Sequence, residues 1–383
     1  MSVSKQAEPV ARAGHESDHH RARRRRLEVA RGAVPASDGI LLVDKPQGLT
    51  SHDVVGATRR LAATRKVGHA GTLDPMATGL LALGIGRATR FLTYLVGADK
   101  TYEATIRLGV ETTTEDAEGE VTTAHGCRTD DLTEERLRKA LAGLTGRIQQ
   151  VPSAVSAIKV DGVRAYKRVR DGQDVELEAR PVTIHELRLT GELRQVGVDL
   201  ASAVAADVST GAEADGAGGE VQVVDLDVVV SCSSGTYVRA LARDLGQSLG
   251  CGAHLTALRR TGVGPFVVDE AHTLATLSER AQADAASPHP KGLATIPLEE
   301  VARRCFEQLA LTEEEARALR YGQPLDAAVL ERTEAPEGQS GTVASKGAPG
   351  RRVVAGFAPD GRLVALLGHQ GSRARPVLVL DPA

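Results

Sequence analysis

Apolar and polar positions along the chain follow two periods, and the switches between them divide it into elements. Ile40-Leu41-Leu42-Val43 is a short apolar run suited to a buried strand. Thr50 or Ser51 can cap a helix running to about Ala63. Leu80 to Ile85 reads as a strand, Ala88 to Val96 as a helix, and Tyr102 to Leu108 as an alternating strand. Leu132 to Leu144 is amphipathic, with Asp131 or Thr133 near its start. Arg180-Pro181 opens a strand through about Leu189, and valine-rich Val221 to Ser231 alternates as another. Thr236 to Leu249 fits a helix. Strands and helices mix without a regular βα repeat, which predicts an α+β fold.

Other stretches lack periodicity. Residues 1–37 are polar and charged, and read as a disordered basic tail. Order is expected from Gly39, within a main domain over 38–296. Ala201 to Glu220 (a flexible insertion), Arg280 to Gly292 and Glu334 to Gly350 read as surface excursions. From about Pro297 a second unit, 297–383, begins. It has a capped helix at Leu311–Leu319, a turn at Tyr321–Leu325, and short strands at Val353–Phe357, Leu363–Leu367 and Val377–Leu380.

Composition sharpens this outline. A chain of 383 residues is long enough for two domains and a substantial core. Aromatics make up only 2%, with no Trp, so the core must be aliphatic and each Tyr merits a look. No apolar run approaches a membrane span, and the N-terminus lacks the apolar stretch of a secretory signal. Cys127, Cys232, Cys251 and Cys305 show no C-x-x-C spacing, which fits reduced thiols in a cytoplasmic protein and no zinc site. The net charge of −3 argues against nucleic-acid binding by bulk charge. The charge is segregated, however. Arg21 to Arg26 holds five arginines, and further basic clusters lie at Arg59-Arg60 with Arg65-Lys66, at Arg259-Arg260 and at Arg351-Arg352. Acids collect at Glu115 to Glu120 and Glu313 to Glu315. Such patches are compatible with a basic groove.

The segment with the most chemistry is Gly68-His69-Ala70-Gly71-Thr72-Leu73-Asp74-Pro75-Met76-Ala77-Thr78-Gly79. Gly71 and Gly79 can adopt backbone angles closed to other residues. Pro75 fixes its own φ and pushes Asp74 out of the helical region. The expected product is a stiff loop presenting one carboxylate. An isolated Leu-Asp-Pro would more often be a simple turn.

The segment resembles the signature of the bacterial tRNA pseudouridine synthase B family, in which Gly-His-x-Gly-x-Leu-Asp-Pro-x-Ala-x-Gly carries the catalytic aspartate. Four further stretches, one before it and three after, stand in family order. They are Leu42 to Ser51, Lys100-Thr101-Tyr102-Glu103-Ala104, Gln150 to Ser153 with Ser156 to Lys159, and Cys232 to Arg239 followed by Gly250 to Leu255. The resemblance spans roughly residues 38 to 270. It implies a pseudouridine-synthase fold with a mixed, mainly antiparallel sheet and a small C-terminal PUA-like β domain that binds RNA. It also implies an isomerase that converts uridine 55 in the tRNA T-loop to pseudouridine.

Pseudouridine formation breaks an N-glycosidic bond, turns the uracil and rejoins it through carbon. The reaction is redox-neutral, so no nicotinamide or flavin is needed. It requires a nucleophile, a way to hold the detached base, and exclusion of water. By resemblance Asp74 is the nucleophile and Arg239 the cation that pairs with it. A buried guanidinium would orient the carboxylate. Arg239 follows Tyr237 by two, so on a strand or extended turn both side chains would share a face. Tyr102 would stack on the flipped base, Leu258 would close its other side, and His69 would hold the space the base vacates. Tyr237 is expected within the Asp74–Arg239 pair. Lys45 would meet a phosphate or stabilise its turn. The implied partner is tRNA, bound at its T-loop and elbow. No membrane or protein partner is implied and nothing demands assembly, so a monomer is expected. Two other readings stand beside this one. One is a T-loop-binding tRNA chaperone without chemistry. The other is a glycosidic hydrolase using Asp74 and Asp44, since hydrolases of that class need two carboxylates flanking one bond.

Overall fold

The protein, seen in a computed structural model, is described at residues 28–153, 159–160, 163–164, 177–199, 204–209, 220–336 and 352–383. Among these, a twelve-stranded mixed sheet organises most of the chain. Its main path runs His272–Thr273, Gly39–Lys45, Thr78–Ile85, Ala253–Val263, Lys100–Leu108, Glu220–Cys232, Arg180–Leu189, Gly146–Gln150. Neighbours on this path are antiparallel except at two seams. Gly39–Lys45 runs parallel to His272–Thr273, and Thr78–Ile85 parallel to Ala253–Val263.

Alternation along Lys100–Leu108 sends Tyr102, Ala104 and Ile106 to one face. Register places Val230, Val228 and Leu226 opposite them on one side, and Arg260, Leu258 and Leu255 on the other. This face is covered by the helix Val238–Leu249, which buries Leu241, Leu245 and Leu249 at helical spacing. Helix Glu134–Gly143 adds Leu137 and Leu141. Thr133 caps the latter by accepting from the Arg136 N–H, and Gly250 ends the former in the left-handed region at φ 71°. The opposite face of the same strands is polar. There Arg107 forks onto Asp225 with two bonds of 2.7 Å, and Thr105 donates to Asp227 at 2.7 Å.

A second, five-stranded sheet has the order Glu307–Ala310, Val353–Phe357, Leu363–Gln370, Arg373–Val379, Leu325–Asp326. Its helix Glu313–Arg320 starts at a capping box between Thr312 and Glu315. The junction with the main body uses the chain's few aromatics. Phe91, Tyr94 and Phe306 meet edge to face, with centroids 5.5–6.1 Å apart.

Several expectations change. Order starts before Gly39, because residues 28–37 of the expected tail are described and tied down. Arg60 Nε donates to Val29 O at 2.7 Å, and the Ala30 N–H to Ser278 Oγ at 2.8 Å. Residues 1–27 lie outside the described set. Within the expected insertion 201–220, Val204–Ser209 is a strand paired in parallel with Val121–Ala124. The expected excursion from Arg280 is helical as far as Ala285. The expected helix Ala88–Val96 is a 3-10 turn, Gly86–Arg90, followed by a short helix, Leu92–Val96. The central strand Ala253–Val263 was not expected at all. Bulges between Leu255 and Ala257 and between Arg260 and Gly262 break its alternation.

Candidate active site

Asp74 lies on the loop between strands Val67–His69 and Thr78–Ile85. That loop is held by bonds to its backbone. Ser51 Oγ, on the first residue of helix Ser51–Leu61, accepts from the Leu73 N–H at 2.8 Å and donates to Leu73 O at 3.1 Å. The Gly48 N–H donates to Pro75 O at 2.8 Å, and the Ala77 N–H closes a turn on Asp74 O at 3.1 Å. Two buried cations complete the cradle. Lys45 donates to Leu49 O at 2.7 Å, Pro46 O at 3.0 Å and Pro75 O at 3.3 Å. Arg260 donates to Leu80 O at 2.7 Å, Gly71 O at 3.2 Å and Thr72 O at 3.4 Å. Gly79 has φ 96°, and a Cβ there would lie 2.3 Å from Arg260 O, so both its angle and its space require glycine.

Arg239 is the second residue of helix Val238–Leu249, two positions past its N-cap, Tyr237. It lies on the helix expected over Thr236 to Leu249, not on a strand or extended turn with Tyr237. Its Nε lies 3.0 Å from Asp74 Oδ2. Nη1 donates to Thr114 O at 2.8 Å and Ser153 Oγ at 3.3 Å, and lies 3.5 Å from Asp116 Oδ2. The Arg239 side chain is 6% exposed and that of Asp74 40%. The guanidinium is thus anchored from behind and the carboxylate is left accessible. Asp74 and Arg239 open on a cavity of about 250 Å³ that Tyr102, Tyr237, Leu258 and Lys100 also line.

Register sets Tyr102 opposite Arg260 on the neighbouring strand. Burial pushes the Tyr102 phenol above its ordinary value. Lys100 Nζ donates to Ala98 O at 2.6 Å and Val96 O at 2.8 Å, and burial pushes it down to about 8. Lys45 is likewise pushed down to about 8 by burial, which the charge of Asp74 partly offsets.

Asp74, Arg239, Tyr102, Tyr237 and Leu258 thus converge on one cavity. Lys45 is not among the residues that line it. It is wholly buried and spends its N–H groups on three carbonyls, because the turn at Pro46 and the loop at Pro75 meet over it. His69 lies outside the cavity lining, edge-on to His52 with centroids 5.9 Å apart. Burial pushes its imidazole below the ordinary value. Asp44, the second carboxylate of the hydrolase reading, is forked by Arg259 at 3.0 and 2.8 Å and does not line the cavity with Asp74. A larger cavity of about 470 Å³ shares only Leu258 with the first and does not include Asp74. The Asp74 carboxylate opens on the smaller one.

Sequence reading missed Asp116 and Arg260. Asp116 looked like part of a surface acidic run, yet it is buried and faces Arg239. Arg260 looked like part of a basic surface cluster, yet it is 1% exposed. The one available signal was Arg260's place two residues after Leu258, on the inward face. Among the described residues no set of three or more His, Cys, Asp or Glu side chains converges to hold a metal ion. Nor is any helix among them long and apolar enough to cross a membrane.

Comparison with known proteins adds three findings. Residues 59–212 match the TruB family pseudouridylate synthase N-terminal domain, 239–301 the tRNA pseudouridylate synthase B C-terminal domain, and 306–381 the tRNA pseudouridine synthase II C-terminal domain. The chain is 50% identical over 345 residues to tRNA pseudouridine synthase B of Arthrobacter sp. (strain FB24), covering 90% of this chain and 97% of that one. It is 46% identical to the protein of the same name from Thermobifida fusca (strain YX), covering 90% and 98%. The fold is similar to a chain in the crystal structure of a Cbf5-Nop10-Gar1 complex, with a TM-score of 0.59, 23% identity, and 90% and 85% of the two chains covered.

Proposed function

The chain belongs to the TruB family of pseudouridylate synthases, and on that premise we propose that it isomerises uridine 55 in the T-loop of tRNA to pseudouridine. The observation that carries the chemistry is a solvent-accessible Asp74 carboxylate 3.0 Å from a buried guanidinium, on a cavity lined by aromatic and apolar side chains. Arg239 holds the carboxylate in one orientation and balances its charge. Asp74 acts as the nucleophile while the bond from the ribose C1′ to N1 of uracil breaks, and the bond its carboxylate forms is broken again, returning the carboxylate, as C1′ joins C5. The detached base stays in the cavity, where stacking on Tyr102 and contact with Leu258 hold it as it turns. A new bond then joins C1′ to C5, the C5 proton leaves, and N1 is protonated, so no atom or electron is left over. A T-loop uridine reaches such a cavity only when flipped out of its stack.

The reading also divides the chain. Residues 38–296 form the catalytic domain, and 297–383 a PUA-like module that adds contacts to the RNA. Lys45 and His69 are assigned to shaping the site rather than touching the base.

The test is incubation of the purified protein with unmodified tRNA and no added cofactor, followed by carbodiimide labelling and primer extension. A single T-loop stop is expected. Asp74→Asn should abolish it while tRNA binding persists. Substantial residual conversion by this variant would remove Asp74 as nucleophile. Binding without any stop in the unmodified chain would make the protein a T-loop-binding chaperone.

A further inference from the structure

Arg243 lies one helical turn beyond Arg239, on the same face of Val238–Leu249. Its guanidinium ties that helix to two separate segments. Nη1 is 2.6 Å from Glu115 Oε1, and Nη2 donates to Val151 O at 2.8 Å. Each segment also carries a contact of Arg239. Glu115 sits between Thr114 and Asp116, which meet Arg239 at 2.8 and 3.5 Å, and Val151 is two residues from Ser153, which meets it at 3.3 Å.

The turn at Glu115 needs such a clamp. Glu115 has φ 62°, one of two positive values among the described non-glycine residues. A side chain in that region is strained and persists only where surroundings hold it. Its carboxylate is largely buried, and Oε2 has no hydrogen-bond partner among the described residues, so Arg243 carries the compensation of its charge. The backbone of the turn is fixed on its other side by the Leu255 N–H, which donates to Glu115 O at 3.0 Å.

Charge makes the same point. Around these two guanidiniums stand four carboxylates: Asp74, Glu115, Asp116 and Asp244. With Arg243 in place, Glu115 is matched and Arg239 serves Asp74 and Asp116. Without it, Glu115 is a buried anion facing a helix whose other guanidinium is Arg239.

We propose that Arg243 and Glu115 are a positioning pair, which hold the Thr114–Asp116 turn and the Val151–Ser153 segment so that Arg239 presents Asp74 to the base. The proposal rests on the pseudouridine-forming activity proposed above. Neither residue touches the cavity, so both act through Arg239.

The test measures single-turnover rate and tRNA dissociation constant for the unmodified chain, Arg243→Ala, Glu115→Gln, the double variant and Arg243→Lys, with thermal unfolding of each. Arg243→Ala and Glu115→Gln should each slow the single-turnover step by about tenfold to a hundredfold, with the tRNA dissociation constant within about twofold. The double variant should be no slower than the worse single one, since both break one clamp. Arg243→Lys, which keeps the charge on Glu115, should recover part of the rate. Unchanged rates in an active protein would overturn the proposal alone. So would additive losses, or a rate that merely follows the unfolding midpoint with no rescue by lysine. An unmodified chain that binds tRNA but forms no pseudouridine would overturn the activity and this proposal with it.

Discussion

Around Asp74, buried cations bond to backbone carbonyls, and the loop between Gly71 and Ala77 is fixed by directional contacts from Ser51, Lys45 and Arg260. In the C-terminal sheet, Leu309, Val354, Val364 and Leu367 fill the space beneath helix Glu313–Arg320 with Ala316 and Leu319. Aliphatic packing is non-directional and yields to small shifts. A carbonyl-to-cation network holds angles as well as distances, and fails when one donor is displaced. Damage to the sheet should therefore appear as lost stability, and damage to the loop as lost chemistry.

The widest separation of the two is expected from Leu367→Ala, at a fully buried position. It should cost about 2–5 kcal/mol of folding stability by chemical denaturation, with the rate per folded molecule unchanged. A parallel loss of rate would show that the two regions are coupled. Gly79→Ala should do the reverse. The strained angle costs about 1–3 kcal/mol, but displacing Arg260 O shifts the Asp74 loop, and single-turnover rate should fall by about a hundredfold. A rate within about twofold of the unmodified chain would mean the loop tolerates the shift.

The smallest effect concerns pH. Burial holds Lys100 down to about 8, whereas an unfolded lysine titrates near about 10.4. Between those values the unfolded chain binds more protons than the folded one, so this residue makes stability rise with pH. From about pH 8 to about pH 10, the unfolding midpoint of the unmodified chain should gain on that of Lys100→Met. A constant difference would mean that the carbonyls of Val96 and Ala98 keep the ammonium charged throughout.

Much of this site is legible in the chain's local patterns. Asp74 is marked by the glycines and proline around it, and Arg239 and Tyr102 by the family motifs they sit in, whereas Leu258 enters only through the family resemblance. Other parts read wrongly for identifiable reasons. Arg259 and Arg260 are adjacent and identical, yet one forks Asp44 at a half-exposed site and the other is buried against the Asp74 loop. Only the two-residue spacing of Arg260 from Leu258 separates them. The bulge between Arg260 and Gly262 also hid the strand that carries them. Lys45 read either as a phosphate contact or as a support for its turn, because its neighbours Pro46, Gln47 and Gly48 do not show whether it is exposed. Here a second loop closes over it.

By itself the sequence determined what a few neighbouring residues can enforce. That covers the stiff Asp74 loop, the capped starts of the helices at Ser51, Glu134 and Glu313, and the alternation that turns Tyr102 inward. Such rules act through backbone angles and hydrogen bonds within a turn or two. Only the tertiary structure decided which charges meet. Asp74, Asp116 and Arg239 come from three separate stretches, and their contacts depend on strand register and on how Val238–Leu249 packs across the sheet. A buried charge is tolerable only where a partner is brought to it, and that partner is chosen by the fold as a whole.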